Sequence, residues 1–175
     1  YVISLYFALY LKQVGASIVR IGDVFSTGQT VYFAAALLCG LISDRLSKKA
    51  LFVLGLTVVG IGVIAIGLSR AVLLILFCYL VREMGRAFIH SMQWPVIAYI
   101  LPPDVRATAN ALYLTVIYMG CMMTSLITGF TISMFPLWHV FMLGGLMSIA
   151  GGIVVYFNIE STEREIHAQA QPTRY

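Results

Sequence analysis

The chain has 175 residues, of which 61% are hydrophobic and only 10% are charged, and its net charge is +4. A soluble globular domain carries roughly a quarter charged residues, so this chain has too few charges to cover a surface that faces water. The composition excludes a cytosolic enzyme, a nucleic-acid-binding protein and a disordered tail. It indicates an integral membrane protein, provided that the apolar residues form runs long enough to span a bilayer.

Six apolar segments follow one another along the chain, at about 1–11, 21–43, 50–69, 71–101, 107–135 and 139–157. A helix needs about 20 residues to cross a hydrocarbon core of about 30 Å, so the first segment is expected to be a truncated helix. The runs are long and do not alternate between polar and apolar residues, which favours helices over the strands of a membrane barrel. Glycines within the third and sixth segments are expected to let helix backbones approach closely.

The sequence therefore predicts an all-α integral membrane protein. Residues 1–157 form a six-helix transmembrane unit, and residues 158–175 form a polar tail. The connection at 44–49 contains three cationic residues, and the connection at 102–106 follows two segments later. If every segment crosses, these connections and the tail lie on one side, which the positive-inside rule assigns to the cytoplasm. A multi-pass protein of the cell membrane with a cytoplasmic C-terminal tail is expected.

The connection between the second and third segments reads Gly-Leu-Ile-Ser-Asp-Arg-Leu-Ser-Lys-Lys over residues 40–49. It resembles the signature loop of the major facilitator superfamily, Gly-x-Leu-x-Asp-Arg-x-Gly-Arg/Lys-Arg/Lys, which lies between the second and third helices of a six-helix half. The matching residues are Gly40, Asp44, Arg45, Lys48 and Lys49. Ile42 stands at the aliphatic position, and Ser47 replaces the second glycine of the signature.

The resemblance covers essentially the whole chain, and it implies one six-helix half of a twelve-helix transporter in which this loop takes part in conformational gating. A polar tail follows the sixth segment, and the fifth lacks the Gly-Pro signature of the drug exporters, so the C-terminal half is expected. From the residues themselves, Gly40 would permit close packing at a helix end. Asp44 would cap the next helix and meet its positive dipole end, while the cations of the loop would hold it in the cytosol.

The fourth segment carries Arg82, Glu83, Arg86 and His90 at the depth of the membrane interior. Arg82, Arg86 and His90 share one helical face, and Glu83 lies within reach of Arg86. Charged groups at this depth usually face a cavity or a partner. One interpretation is a pathway in which the cations attract an anionic group and Glu83 or His90 carries a proton. The alternative is a charge network that only locks helices together.

Further polar residues lie near this segment and elsewhere in the spans. Gln93 and Trp94, one turn beyond His90, are candidates for binding a solute by hydrogen bonding and stacking, and a packing role for Trp94 is the alternative. Gln29, Thr30 and Asn110 are interpreted as polar contacts between helices, with contact to a ligand as the alternative. The resemblance supports the pathway interpretation, because the fourth helix of each half lines the central cavity of the family's transporters.

The function expected from these features is secondary active transport of a small solute by alternating access, as a proton-coupled symporter or antiporter. Its expected partners are the other six-helix half of the same transporter, the lipid bilayer, the solute and protons, without nucleic acid. A transport-inactive sensor or scaffold of the same fold is the alternative. The motifs of membrane enzymes are missing, and the three cysteines lack metal-ligand spacing, so no catalytic residue, metal or cofactor is expected.

Overall fold

A computed structural model describes the backbone of residues 2–43 and 46–170, and it contains six helices in this part of the chain. In chain order they are α1 (Val2–Gln13), α2 (Ile18–Ser43), α3 (Lys48–Leu68), α4 (Val72–Ile100), α5 (Arg106–Met134) and α6 (Leu137–Ala170), with a 3₁₀ turn at Pro103–Val105. The six predicted segments are confirmed as helices, and the described residues include no strand. The all-α, six-helix fold class is therefore confirmed.

Four of the described helices are long and apolar enough to cross a membrane by length and composition, namely α2, α3, the Arg106–Ile132 part of α5 and the Leu137–Asn158 part of α6. The helix α4 is also long, at 29 residues, but it carries Arg82, Glu83 and Arg86 near its middle. The helix α1 has 12 residues. Beyond its apolar part, α6 continues to Ala170 and so includes most of the predicted tail.

The helix α3 begins at Lys48, and Ser47 is its N-cap. The Ser47 hydroxyl oxygen accepts a hydrogen bond from the Ala50 backbone N–H at 3.2 Å, which satisfies one of the free N–H groups of the first turn. From the sequence, this capping role is expected of Asp44. Asp44 and Arg45 lie outside the described residues, and the described cap is three residues further along the chain.

The helix α3 packs against α4 and α6 through glycines. A Cβ atom on Gly55 would lie 2.9 Å from the carbonyl oxygen of Gly85 in α4, and one on Gly60 would lie 2.8 Å from that of Gly145 in α6. Side chains at these positions would push the helices apart, so the glycines allow backbone contact, as expected. The Ser148 hydroxyl also donates to the Leu56 carbonyl at 2.9 Å, which ties α6 to α3.

An aromatic cluster joins α1, α2 and α4 on the N-terminal side of the charged residues of α4. The rings of Phe7 and Tyr79 are stacked with centroids 4.4 Å apart, and Phe25 meets both rings edge-on. The Tyr10 hydroxyl donates to the Ser69 carbonyl at 2.7 Å. The ring contacts fix α4 relative to α1 and α2, and the Tyr10 hydrogen bond ties α1 to the end of α3.

The connection between α4 and α5 is fixed by Arg106. Its Nε donates to the Leu101 carbonyl at 3.0 Å, and its Nη2 donates to the Ala98 carbonyl at 2.7 Å. The last carbonyls of a helix lack partners within it and carry the negative end of its dipole, so a guanidinium group stabilises this end. Arg106 therefore holds the two helices together at the connection that the charge pattern assigns to the cytoplasmic side.

Candidate functional site

The charged residues of α4 form a buried ion-paired group. Arg82 Nη1 pairs with Glu83 Oε1, and Arg86 Nη2 lies 2.7 Å from Glu83 Oε2. Glu83 has no exposed surface, and Arg82 is 4% exposed. A buried charge is costly unless it is paired, and here one carboxylate lies between two guanidinium groups.

Two neighbours determine where Arg82 lies. Gly62 of α3 faces the backbone and Cβ of Arg82, which leaves room for α4 to approach. The Arg82 guanidinium lies 5.7 Å from the centre of the Tyr79 ring, one turn earlier on α4. A cation near an aromatic face is attracted by the ring, so Arg82 is enclosed by α3 and by its own helix.

Arg86 and His90 make their contacts with α2 instead. Arg86 Nη2 donates to Gln29 Oε1 at 3.3 Å, and its guanidinium lies 4.5 Å from the centre of the Tyr32 ring. The Tyr32 hydroxyl lies 3.1 Å from His90 Nδ1, and the tautomer of the histidine decides which group donates. Gln29 and Tyr32 are three residues apart, so one face of α2 meets the face of α4 that carries Arg86 and His90.

Gln93 and Trp94 contact a different helix. Gln93 Oε1 accepts a hydrogen bond from the Tyr113 hydroxyl of α5 at 3.2 Å, and the Trp94 and Tyr113 rings meet edge-on at 5.9 Å. Gln93 and Tyr113 also line a cavity of about 370 Å³ between α3, α4, α5 and α6, whose other walls are mostly apolar. Of the six α4 residues predicted for the pathway, four therefore share one connected group and two lie at the contact with α5.

The described residues of the signature loop lie in different surroundings. Lys49 Nζ lies 4.7 Å from the centre of the Tyr156 ring on α6, and Lys48 is exposed. No described atom lies within 4 Å of a Cβ placed on Gly40, so the close packing expected there is not found. Asp44 and Arg45 lie outside the described residues, and the gating role of the loop stays a prediction.

Three tyrosines of this region were missed in the sequence analysis, namely Tyr32, Tyr79 and Tyr113. A usable signal existed for two of them. Tyr79 precedes Arg82 by three residues on the same helix, and Tyr32 follows Gln29 by the same interval.

The hydrogen bond from Arg86 confirms Gln29 as a contact between α2 and α4. The same interpretation is wrong for the Thr30 hydroxyl, which donates to the Ser26 carbonyl of its own helix, and Asn110 Oδ1 has no hydrogen-bond partner among the described residues.

Comparisons with known proteins identify the family to which this chain belongs. A family model described as Major Facilitator Superfamily matches residues 1–174. An uncharacterized MFS-type transporter of Methanocaldococcus jannaschii is 27% identical over an alignment of 127 positions. That alignment covers 67% of this chain and 29% of the relative, so the chain spans less than a third of the relative's length. No solved structure matches. With its six helices, the chain belongs to the Major Facilitator Superfamily and has the architecture of one six-helix half of that fold.

Proposed function

We propose that this chain is half of a secondary active transporter that moves a small solute by alternating access, coupled to protons. The other six-helix half of the same protein would complete the solute site. Family membership supports solute transport rather than catalysis. The observation that carries the proposal is the group of Arg82, Glu83, Arg86 and His90 in the middle of α4, because ionisable residues inside a membrane usually serve a solute or ion pathway.

The proposed pathway comprises the six α4 residues predicted from the sequence, Arg82, Glu83, Arg86, His90, Gln93 and Trp94. Within it, the geometry favours His90 over Glu83 as the proton carrier. Glu83 has no exposed surface and lies between two guanidinium groups. His90 is partly exposed and contacts the Tyr32 hydroxyl, and histidine is the side chain that ordinarily changes charge between about pH 5 and 8.

The signature loop is proposed to gate the transporter by stabilising one of its two end states. Its proposed gating residues are Gly40, Asp44, Arg45, Lys48 and Lys49. The contact between Lys49 and Tyr156 supports this role because it links the start of α3 to the end of the apolar part of α6. A loop that bridges two helix ends can change its contacts when those ends move. The same charges support a cytoplasmic location for this loop and the C-terminal tail, in the cell membrane.

The test uses the full-length protein in proteoliposomes with an imposed proton gradient and an entrapped pH-sensitive dye. Sugars, organic anions, nucleosides, peptides and drug-like cations are added separately. We expect one class to produce a proton flux that protein-free liposomes lack. Absence of a solute-dependent proton flux with every class would contradict proton-coupled transport, and absence of solute uptake measured in the same liposomes would favour the sensor or scaffold alternative.

A matched pair of histidine variants tests the coupling. His90→Gln should still exchange solute across the membrane but should lose accumulation driven by the proton gradient. His139→Gln is the control, because His139 lies at the start of α6 and stacks on Trp138 with ring centroids 3.6 Å apart. Full accumulation by a folded His90→Gln protein would assign the proton to Glu83 or to the other half.

A further inference from the structure

The ion-paired group in the middle of α4 contains two guanidinium groups and one carboxylate, so Arg82, Glu83 and Arg86 together carry one net positive charge. The other six acidic residues of the chain lie in connections, towards helix ends or in the tail, namely Asp23, Asp44, Asp104, Glu160, Glu163 and Glu165. An excess charge inside a membrane is costly. A negative group from outside this set would therefore stabilise the site.

The two arginines are not equivalent. Arg82 has a 4% exposed side chain and lies against Gly62 and Tyr79. The Arg86 side chain is 25% exposed, and it points towards α2. A solute that approaches the surface of this half can therefore reach Arg86, whereas Arg82 is enclosed by helices.

The surroundings of Arg86 suit a carboxylate. Its Nε atom is buried and has no hydrogen-bond acceptor among the described residues, so a solute would contact the exposed quarter of the side chain and not Nε. The Tyr32 ring faces the guanidinium, and Gln29 accepts one of its N–H groups, which together hold its orientation. A guanidinium held in place presents a planar fork of N–H donors that matches a carboxylate. The Gln29 amide nitrogen adds a further donor, and the Tyr32 hydroxyl adds another in the tautomer in which His90 Nδ1 donates to it.

We propose that Arg86, with Gln29 and Tyr32 of α2, binds a carboxylate group of the transported solute, which is therefore a small organic anion. Arg82 is instead a structural residue that holds Glu83. The bound carboxylate neutralises the excess positive charge of the ion-paired group. This inference rests on the proposed transport function, but it concerns binding and can be tested without transport.

The experiment measures the thermal unfolding midpoint of the purified full-length protein with succinate or lactate and with their uncharged amides, succinamide and lactamide. We expect a saturable rise of the midpoint with at least one carboxylate and none with its amide. Arg86→Gln should weaken this binding by about 100-fold or more, because truncating one partner of a charge pair usually has an effect of that size. Arg70→Gln, which changes an exposed arginine before α4, should retain wild-type binding.

Two further variants separate a loss of carboxylate binding from a loss of folding. Arg86→Lys keeps the charge without the planar fork, so it should fold and bind the carboxylate more weakly than the wild type does. Arg82→Gln should lower the thermal unfolding midpoint measured without ligand. The carboxylate should still raise the midpoint of the Arg82→Gln protein that remains folded. If neither carboxylate shifts the wild-type midpoint more than its amide, or if Arg86→Gln and Arg86→Lys bind as the wild type does, the proposal is overturned.

The outcomes also separate this site from the transport proposal. Carboxylate binding that depends on Arg86, without flux in proteoliposomes, would support the site and contradict transport. Transport of an uncharged solute without carboxylate binding would support transport and overturn the site. In that case an acidic side chain of the other half would be the source of the neutralising charge.

Discussion

Gly62 of α3 faces Arg82 of α4 so closely that a Cβ placed on Gly62 would lie 2.9 Å from the Arg82 Cβ. The same atom would lie 3.1 Å from the Cα and the backbone nitrogen of Arg82. A rotation of the arginine side chain would not relieve contacts with backbone atoms. The absence of a side chain at Gly62 is therefore what allows the charged part of α4 to pack against α3.

Gly62→Ala should destabilise the protein by about 1–3 kcal/mol, the usual cost of overpacking a tight contact. Gly120→Ala on α5 is the matched control, because nothing lies within 4 Å of its added Cβ and alanine favours a helix more than glycine does. The thermal unfolding midpoint of the full-length protein in detergent measures both. Equal midpoints for the two variants would show that the contact with Arg82 does not limit stability.

Glu83→Gln should prevent stable folding, because it removes the carboxylate that lies between Arg82 and Arg86. Removing one partner of a buried ion pair typically costs about 3–5 kcal/mol. Glu83→Gln combined with Arg82→Gln should restore much of the loss, and Asp104→Asn at an exposed acid should have little effect. Monodispersity on size-exclusion chromatography reports the outcome. A well-folded Glu83→Gln protein that exchanges solute without accumulating it would instead make Glu83 the proton carrier.

Asp44→Asn should reduce transport while the protein still inserts in the membrane. If the charge stabilises one end state by about 1–2 kcal/mol, its loss changes the ratio of the two states by about 5- to 30-fold. Ser47→Ala separates gating from capping, because it removes the described cap of α3 and leaves the charge of the loop intact. It should cost about 1 kcal/mol of stability and preserve transport. Loss of transport in both variants to the same degree would argue against a specific role for Asp44.

A cysteine placed at Gln171 should resist an impermeant thiol reagent in intact cells, because the charge pattern assigns the tail to the cytoplasm. The native cysteines, Cys39, Cys78 and Cys121, are replaced first. A cysteine at Arg70, in the connection predicted for the opposite side, is the positive control and should be labelled. Labelling at 171 and protection at 70 would reverse the orientation.

The helices were predictable because every apolar run after the first has about the length of a membrane span, and the runs are separated by charged residues or prolines. The third segment was predicted at 50–69 and is found at Lys48–Leu68. The contact of Glu83 with Arg86 was also predictable, because residues three apart on a helix are neighbours. Both features depend on local spacing alone.

Contacts between helices were not predictable from local spacing, because they depend on which helices lie side by side in the fold. The Tyr32 contacts with Arg86 and His90 require α2 to lie beside α4, and the sequence does not indicate that pairing. The described cap of α3 is Ser47, and the sequence favoured Asp44 instead, because aspartate and serine both favour N-caps and the two stand three positions apart in one polar connection. Which of the two residues caps the helix depends on the residue at which the helix begins.

The contact between α3 and α6 also determines when this protein can reach its native packing. The hydrogen bond from Ser148 to Leu56 joins residues 92 positions apart. At a synthesis rate of about 5–20 residues per second, roughly 5–20 s separate the appearance of these two positions on the ribosome. During that interval the glycine-lined face of α3 is covered by lipid or by the insertion machinery. A nascent chain arrested before α6 would therefore be inserted in the membrane with the α3–α6 contact still unmade.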